Sequence, residues 1–363
     1  MSLSIAIVGL PNVGKSTLFN ALTNNNILAA NYPFATIEPN SGVVPIPDPR
    51  LNQLAKLYNS KKIVPATVEF TDVAGLVAGA SKGEGLGNQF LSHIRECAAI
   101  VQVVRDFKDN NVIHVDNQLN AKKDIETINT ELVLADLQTI EKVLPRLAKE
   151  ARANPKTKPQ ADLAEKLKEH LNDNRPIYND ASLLNQTNEL LKDLQLLTAK
   201  PIIYLFNVSE EVLTSEQKQQ ELANVVAPNS ALFVNAKLED ELRSLDQNER
   251  SEMLAEYGVS ESGLVQLIKS AYEILGLQSY LTAGEKEVRA WTIKKGATAP
   301  QAAGIIHGDF ERGFIAADIV SYHDLIESGS LPAARAAGKV RTEGKTYIMH
   351  PDDVVEFKFN VSK

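Results

Sequence analysis

Nine residues near the start of the chain carry its densest chemical signal. Gly9-Leu10-Pro11-Asn12-Val13-Gly14-Lys15-Ser16-Thr17 fits G-x-x-x-x-G-K-[ST], a loop that cradles phosphate with backbone N–H groups. Glycines at 9 and 14 permit backbone angles and close approach that a side chain blocks. Asn12, Val13, Gly14, Lys15, Ser16 and Thr17 are the expected nucleotide contacts. Lys15 is placed to stabilise the β- and γ-phosphates, and the Ser16 hydroxyl to ligate Mg²⁺.

Other residues fall in order behind this loop. Asp72-Val73-Ala74-Gly75 is a D-x-x-G pattern. At this spacing Asp72 is expected to hold Mg²⁺ through water, and the Gly75 N–H to meet the γ-phosphate. Thr36, between Pro33 and Pro39, is the candidate for a second hydroxyl on the metal. Leu76 stands where Ras-like enzymes place a Gln that orients the attacking water. Its side chain neither donates nor accepts, so either hydrolysis is slow or the polar group comes from elsewhere. His114 has two readings from chemistry alone: a surface histidine, or the group that replaces the missing Gln.

Base recognition is expected further on. Asn207-Val208-Ser209-Glu210 occupies the place of Asn-Lys-x-Asp, whose Asp accepts from the guanine edge. Here Lys is replaced by Val208 and Asp by the longer Glu210. Adenine offers one exocyclic donor and ring acceptors, which the Asn207 amide can pair with. The altered motif therefore favours ATP over GTP. Asn235-Ala236-Lys237 resembles the Ser-Ala-Lys loop that contacts the base in GTPases.

The elements needed to position these groups are legible as periodicity. Apolar runs at Ile5-Ala6-Ile7-Val8, Ile100-Val101-Gln102-Val103-Val104, Ile202-Ile203-Tyr204-Leu205-Phe206 and Ala231-Leu232-Phe233-Val234 read as buried parallel strands. Thr67–Asp72 reads as another strand, and Val43–Ile46 as an edge strand because Pro45 lacks a donor. The glycine-rich stretch Gly79–Asn88 is expected to order on binding. From Gln118 the spacing turns helical. Ile125, Ile128, Leu132, Ile140, Leu144 and Leu147 give a long amphipathic helix, kinked at Pro145 and broken by Asn154–Pro159. Leu163, Leu167 and Leu171 begin a second helical piece, and Leu190, Leu191, Leu194 and Leu197 a third. Leu264, Leu267, Ile268 and Ala271 give a closing helix. Strands at 288–292, 314–320 and 354–359, with Val340-Arg341 and Tyr347–Met349 flanking a turn, make a small α+β module.

The expected organisation is an α/β nucleotide-binding domain at 1–117 and 200–278, interrupted by an antiparallel helical, partly coiled-coil arm at 118–199, then a module at 279–363. Composition agrees with a soluble globular class: 363 residues, 44% hydrophobic and 23% charged. No apolar run reaches the roughly 20 residues that span a bilayer. The start of the chain has no basic, signal-like region, and Cys97 is the single cysteine, so no internal disulfide or cysteine metal cage is expected. These features point to the cytoplasm. A net charge of −8 argues against a general nucleic-acid coat but not against a local basic patch. Arg335, Lys339, Arg341 and Lys345 form one such cluster, read either as facing RNA phosphate or as a solvated turn.

Together these motifs resemble the YchF-type branch of the Obg-related P-loop proteins, the ribosome-binding ATPases. The resemblance covers nearly the whole chain. It rests on Gly9–Thr17, Asn31–Asn40, Asp72–Leu76, the glycine-rich stretch to Asn88, Asn207–Glu210 and the C-terminal module, which resembles a ubiquitin-like β-grasp (TGS) domain. It implies Mg²⁺ dependence, ATP preferred over GTP, slow intrinsic hydrolysis, and association with the ribosome and its RNA rather than a membrane. It also implies that a histidine beyond the switch, at the position of His114, is catalytic beside Lys15, and that the backbone around Val208 contacts the base. An Obg-type GTPase, or a nucleotide-dependent scaffold that hardly hydrolyses, are the alternative readings.

Overall fold

The computed structural model describes residues 4–24, 40–73, 86–107 and 120–360. They fall into two compact units: Met1–Val44 with Glu69–Leu267, and Pro45–Val68 with Ile268–Lys363. In chain order the described strands are β1 (Ser4–Gly9), β2 (Ser41–Pro45), β3 (Ile63–Val64), β4 (Thr67–Asp72), β5 (Ala99–Asp106), β6 (Ile202–Val208), β7 (Ser230–Val234), β8 (Leu277–Ala283), β9 (Val288–Lys294), β10 (Phe314–Ser321), β11 (Arg341–Glu343) and β12 (Asp353–Phe359). The helices used below are α1 (Lys15–Asn24), α2 (Pro49–Tyr58), α3 (Leu86–Glu96), α4 (Ala121–Ala153), α5 (Lys158–Asn172) and α6 (Ala181–Leu190).

The first unit is built on a sheet of order β2-β4-β1-β5-β6-β7. The pairs β1–β4, β1–β5, β5–β6 and β6–β7 are parallel. Strands β1 and β6 are buried along their whole length. Burial on both faces is why they read as unbroken apolar runs rather than as alternation. Strand β1 lies between β4 and β5, so the chain leaves it in opposite directions. Ligands of open parallel sheets bind at such a reversal, beyond the carboxyl ends of the strands.

Between β5 and β6 the chain is helical. Helix α4 runs 33 residues, passing through Pro145 and stopping at Asn154. The Asn154 side chain accepts from the Lys156 N–H, and Pro155 and Pro159 open the next turn and α5. Proline at a helix start loses no internal hydrogen bond, so the break seen in the sequence is a turn. Helix α5 folds back: Val133, Ile140 and Leu147 of α4 pack with Leu163, Leu167 and Leu171 of α5. The third helical piece is shorter than expected. It ends at Leu190, and Leu194 and Leu197 lie on short 3-10 turns. The buried Asp136 carboxylate on α4 explains the last turn. It accepts from the N–H groups of Leu197 and Thr198 and from the Thr198 hydroxyl.

The second unit has a sheet of order β11-β10-β12-β8-β9-β3. Neighbours β8–β9, β9–β3 and β12–β8 are antiparallel, parallel and parallel, and β10 is antiparallel to both β12 and β11. This division departs from the expected boundaries at two places. Residues 45–68 leave the 1–117 block, and the C-terminal unit begins before 279. Strand β3 pairs in register with Val288 and Arg289, and Leu51 and Leu54 of α2 bury against Leu277, Leu281 and Val320. Tyr347–Met349 forms no strand, only a single bridge between Ile348 and Thr298. The expected basic cluster is also largely neutralised. Arg335 pairs with Asp318 at 3.0 Å, Lys339 with Asp324 at 3.0 Å, and Arg341 with Glu343 at 3.7 Å.

Candidate functional site

The parallel registers bring the sequence candidates to one edge of the first sheet. Gly9 lies opposite Val103, Ile7 opposite Asp72, Arg105 opposite Asn207, and Asn207 opposite Val234. The loop after β1 then turns into α1. Asn12 adopts a left-handed backbone (φ 63°), as does Gly14 (φ 89°). Asn tolerates this region better than most side chains, and Gly pays no steric penalty there. A Cβ at Gly9 would sit 2.9 Å from Val13 Cγ2 and 3.0 Å from the Val103 carbonyl, so its role is close approach. The Leu18 N–H donates to the Gly14 carbonyl at 3.0 Å, which starts α1. Lys15, Ser16 and Thr17 thus occupy the first turn, where helix N–H groups have no helical acceptor and attract an anion.

The Lys15 ammonium is ion-paired with the Asp72 carboxylate. Both side chains are mostly shielded, at 10% and 16% exposure. The Asp72 backbone is fixed by its own N–H donating to Asn40 O at 2.7 Å and by Val73 N–H donating to Ile7 O at 3.2 Å. The cation expected on phosphate and the carboxylate expected near the metal are therefore already adjacent.

Asn207 is buried and braces two loops. Its Nδ2 donates to the Val13 carbonyl at 3.0 Å, and its Oδ1 accepts from the Ala236 N–H at 3.1 Å. A Cβ on Gly14 would lie 2.3 Å from that Nδ2, so only glycine fits there. One lone pair of Asn207 Oδ1 is therefore engaged by protein, leaving one N–H and the second lone pair for a base. This narrows the adenine pairing expected from the sequence. Asn235 is a second brace: Nδ2 donates to Val208 O at 2.9 Å and Oδ1 accepts from Leu238 N–H at 2.9 Å. Glu210 is exposed at the start of the short helix Glu210–Leu213. Thr36, Gly75, Leu76 and His114 lie outside the described residues.

One functional candidate was not singled out by the sequence. Arg105, near the end of β5, is 2% exposed. Its Nε donates to Phe107 O at 3.1 Å, its Nη1 to Asn12 O at 3.4 Å, and its guanidinium lies 4.5 Å over the Phe107 ring. A lone cation ending an apolar strand was the available signal. Nearby, burial pushes the Asp106 carboxyl above its usual value, with Lys218 opposing.

Comparison with known proteins accounts for both units. A family model described as "50S ribosome-binding GTPase" matches residues 4–141, and the YchF-GTPase C-terminal model, described as "Protein of unknown function (DUF933)", matches 277–360. The "Ribosome-binding ATPase YchF" of Bacillus subtilis is 50% identical over 99% of this chain and 100% of its own length. The chain belongs to the YchF family. The Escherichia coli O157:H7 YchF is 49% identical with the same coverage. The solved Schizosaccharomyces pombe YchF GTPase superposes with a TM-score of 0.87 at 39% identity, covering 98% of both chains. The site edge of this YchF-family chain is accordingly that of a P-loop GTPase-like α/β fold. Among the described residues, no helix is long and apolar enough to cross a membrane.

Proposed function

We propose that this YchF-family chain is an Mg²⁺-dependent, ribosome-associated ATPase that acts as a nucleotide-controlled switch in the cytoplasm. The observation that carries this reading is the Lys15–Asp72 ion pair at the mouth of the phosphate loop. A triphosphate offers Lys15 several anionic oxygens in place of one carboxylate. Transfer of Lys15 to the phosphates frees Asp72 for the metal side of the site.

The donor set fits Mg²⁺. Among the described residues no cluster of three or more His, Cys, Asp or Glu forms a protein cage. Mg²⁺ prefers one or two protein oxygens with water and phosphate completing an octahedron. Ser16 on the first turn of α1 supplies one such oxygen, with Thr36 proposed as the second and Asp72 at the end of β4 holding the metal through water. When bound, the metal would supply positive charge that offsets the negative charge developing on the phosphates. Lys15 stabilises the same charge. His114 is proposed to position the attacking water, because Leu76 has no polar atom.

Base choice is proposed to rest on the Val208 backbone, the free Asn207 N–H and Ala236, and to favour adenine. Glu210 keeps a GTPase reading in play, since it is an exposed carboxylate near the guanine-reading position. The second unit is proposed to be a β-grasp (TGS-like) module. Its first and last long strands, β8 and β12, are parallel neighbours at the sheet centre, as that fold requires. The names of the YchF relatives support the ribosome as partner.

Calorimetric titration with non-hydrolysable ATP and GTP analogues in Mg²⁺ tests the reading. Micromolar ATP-analogue binding with GTP clearly weaker is expected. Tighter GTP binding overturns the base assignment, and single-turnover hydrolysis with and without ribosomes then tests the switch.

A further inference from the structure

We propose that the turn end of the α4–α5 hairpin is an RNA-contacting surface, and that it docks on ribosomal RNA backbone. This deepens the ribosome reading above and rests on it.

The charge distribution is the starting point. The whole chain carries a net charge of −8. Residues 142–160 run against it, with Lys142, Arg146, Lys149, Arg152, Lys156 and Lys158 as cations and Glu150 as the single carboxylate. All six cations are exposed. Among the described residues the ion pair in this stretch is Arg146–Glu150 at 3.1 Å, itself open to solvent. The cluster at Arg335, Lys339 and Arg341 differs, because each of its cations already holds a carboxylate.

Helical geometry organises the charges. Residues three and four apart share a face, so Lys142, Arg146 and Lys149 form one stripe, with Arg152 at its border. Val143, Leu144, Leu147 and Ala151 point the other way, into the hairpin core. The stripe spans about 15 Å at 1.5 Å per residue. Lys156 and Lys158 continue it around the turn. That turn is preorganised: the Asn154 side chain accepts from Lys156 N–H, and the Thr157 hydroxyl donates to Asn154 O at 2.9 Å. A rigid turn loses little freedom on docking. An array of Lys and Arg on an otherwise acidic protein matches phosphates and releases their counterions.

The test compares three full-length proteins. The tip variant carries Arg146→Gln, Lys149→Gln, Arg152→Gln and Lys156→Gln. The control variant carries Lys61→Gln, Lys286→Gln, Lys294→Gln and Lys295→Gln, all at exposed sites. Binding to purified ribosomes and to a short RNA duplex is measured across a salt series. Loss of four phosphate contacts is expected to weaken binding at least tenfold and to flatten the log K against log salt slope by about 3. Melting temperature and ATP-analogue affinity should not move, because Gln is a good helix former and the site is untouched. Equal affinity and slope in the tip variant, or an equal loss in the control, overturns the proposal. If the wild type binds RNA through the tip but not ribosomes, the ribosome reading fails while the RNA surface stands. If it binds neither, both fail. Directed hydroxyl-radical cleavage from Lys149→Cys, possible because Cys97 is buried, separates RNA from protein partners. Cuts in ribosomal RNA are expected, and their absence from a bound complex overturns the RNA assignment.

Discussion

At the scale of single residues, the candidate site is held by side chains that hydrogen-bond to backbone. Asn207 joins the phosphate loop to the Asn235–Ala236 loop, and Gly14 leaves the space for it. Gly14→Ala is therefore strained twice, by its φ of 89° and by the Asn207 amide. We expect ATP-analogue affinity to fall at least tenfold, about 1.4 kcal/mol, read by calorimetry. Retained affinity would show that the loop does not need this contact. Arg105 is a positioning residue that ties Asn12 to Phe107. Hydrogen bonds from a charged donor contribute about 1.5–3 kcal/mol. Arg105→Met is expected to weaken analogue binding roughly tenfold or more on that basis, and Arg105→Lys to restore it only in part, since an ammonium lacks the planar fork. A variant that loses thermal stability but binds normally would make Arg105 merely structural. The glycine-lysine-serine loop was legible because its geometry is local to nine residues. Arg105 was not, because the acceptor that ties it to the site, the Asn12 carbonyl, belongs to the loop after β1.

At the scale of elements, two buried polar groups on the sheet and its helices set stability. Asp136 is fully buried, and burial pushes its carboxyl up to about 6, against hydrogen bonds from Thr198 and Leu197 and the Arg95 charge, which pull it down. A carboxyl with a raised folded pKa binds more protons folded than unfolded between about pH 4 and pH 6. Its contribution to stability therefore declines as pH rises through that window, by roughly 2–3 kcal/mol at 1.36 kcal/mol per unit. Urea midpoints of the wild type, taken relative to Asp136→Asn, should fall from pH 4 to pH 6 and then level. A difference that does not change with pH would refute the assignment. Gln102 on β5 is the second case. It is fully buried, and among the described residues neither amide atom has a hydrogen-bond partner. An unsatisfied buried polar group costs about 1–3 kcal/mol. Gln102→Met keeps the shape and should stabilise the protein by about 1 kcal/mol, read as a higher urea midpoint with unchanged slope. A lower midpoint would mean the amide has a structural task. Neither effect was legible in the sequence: Gln102 sat inside an apolar run, and Asp136 sat on a helix whose polar positions read as solvated.

At the scale of the whole molecule, the second unit is discontinuous in sequence. Its strands β9, β10 and β12 were legible, but β8 was not read as a strand, and α2 and β3 were not assigned to it. Strand β3 has two residues, too few for a period, and its partner β9 lies far along the chain. Helix α2 has ordinary signals, an Asp48 cap and Pro49 at its start, but those do not say which core its apolar side enters. Leu51 and Leu54 are 3% and 0% exposed, in a cluster otherwise drawn from residues after 268 and Ala66. Burying such a side chain stabilises by about 1.5–3 kcal/mol. A chain cut after Leu267 therefore keeps α2 while losing the strands that cover it. We expect that shortened chain to bind the dye ANS and to aggregate at micromolar concentration. Replacing residues 45–68 by a short glycine-serine link in the same 1–267 chain should reduce both, although it removes further sequence. Equal dye binding by the two shortened chains would mean that α2 finds its cover within the first unit, and the discontinuous assignment would fall.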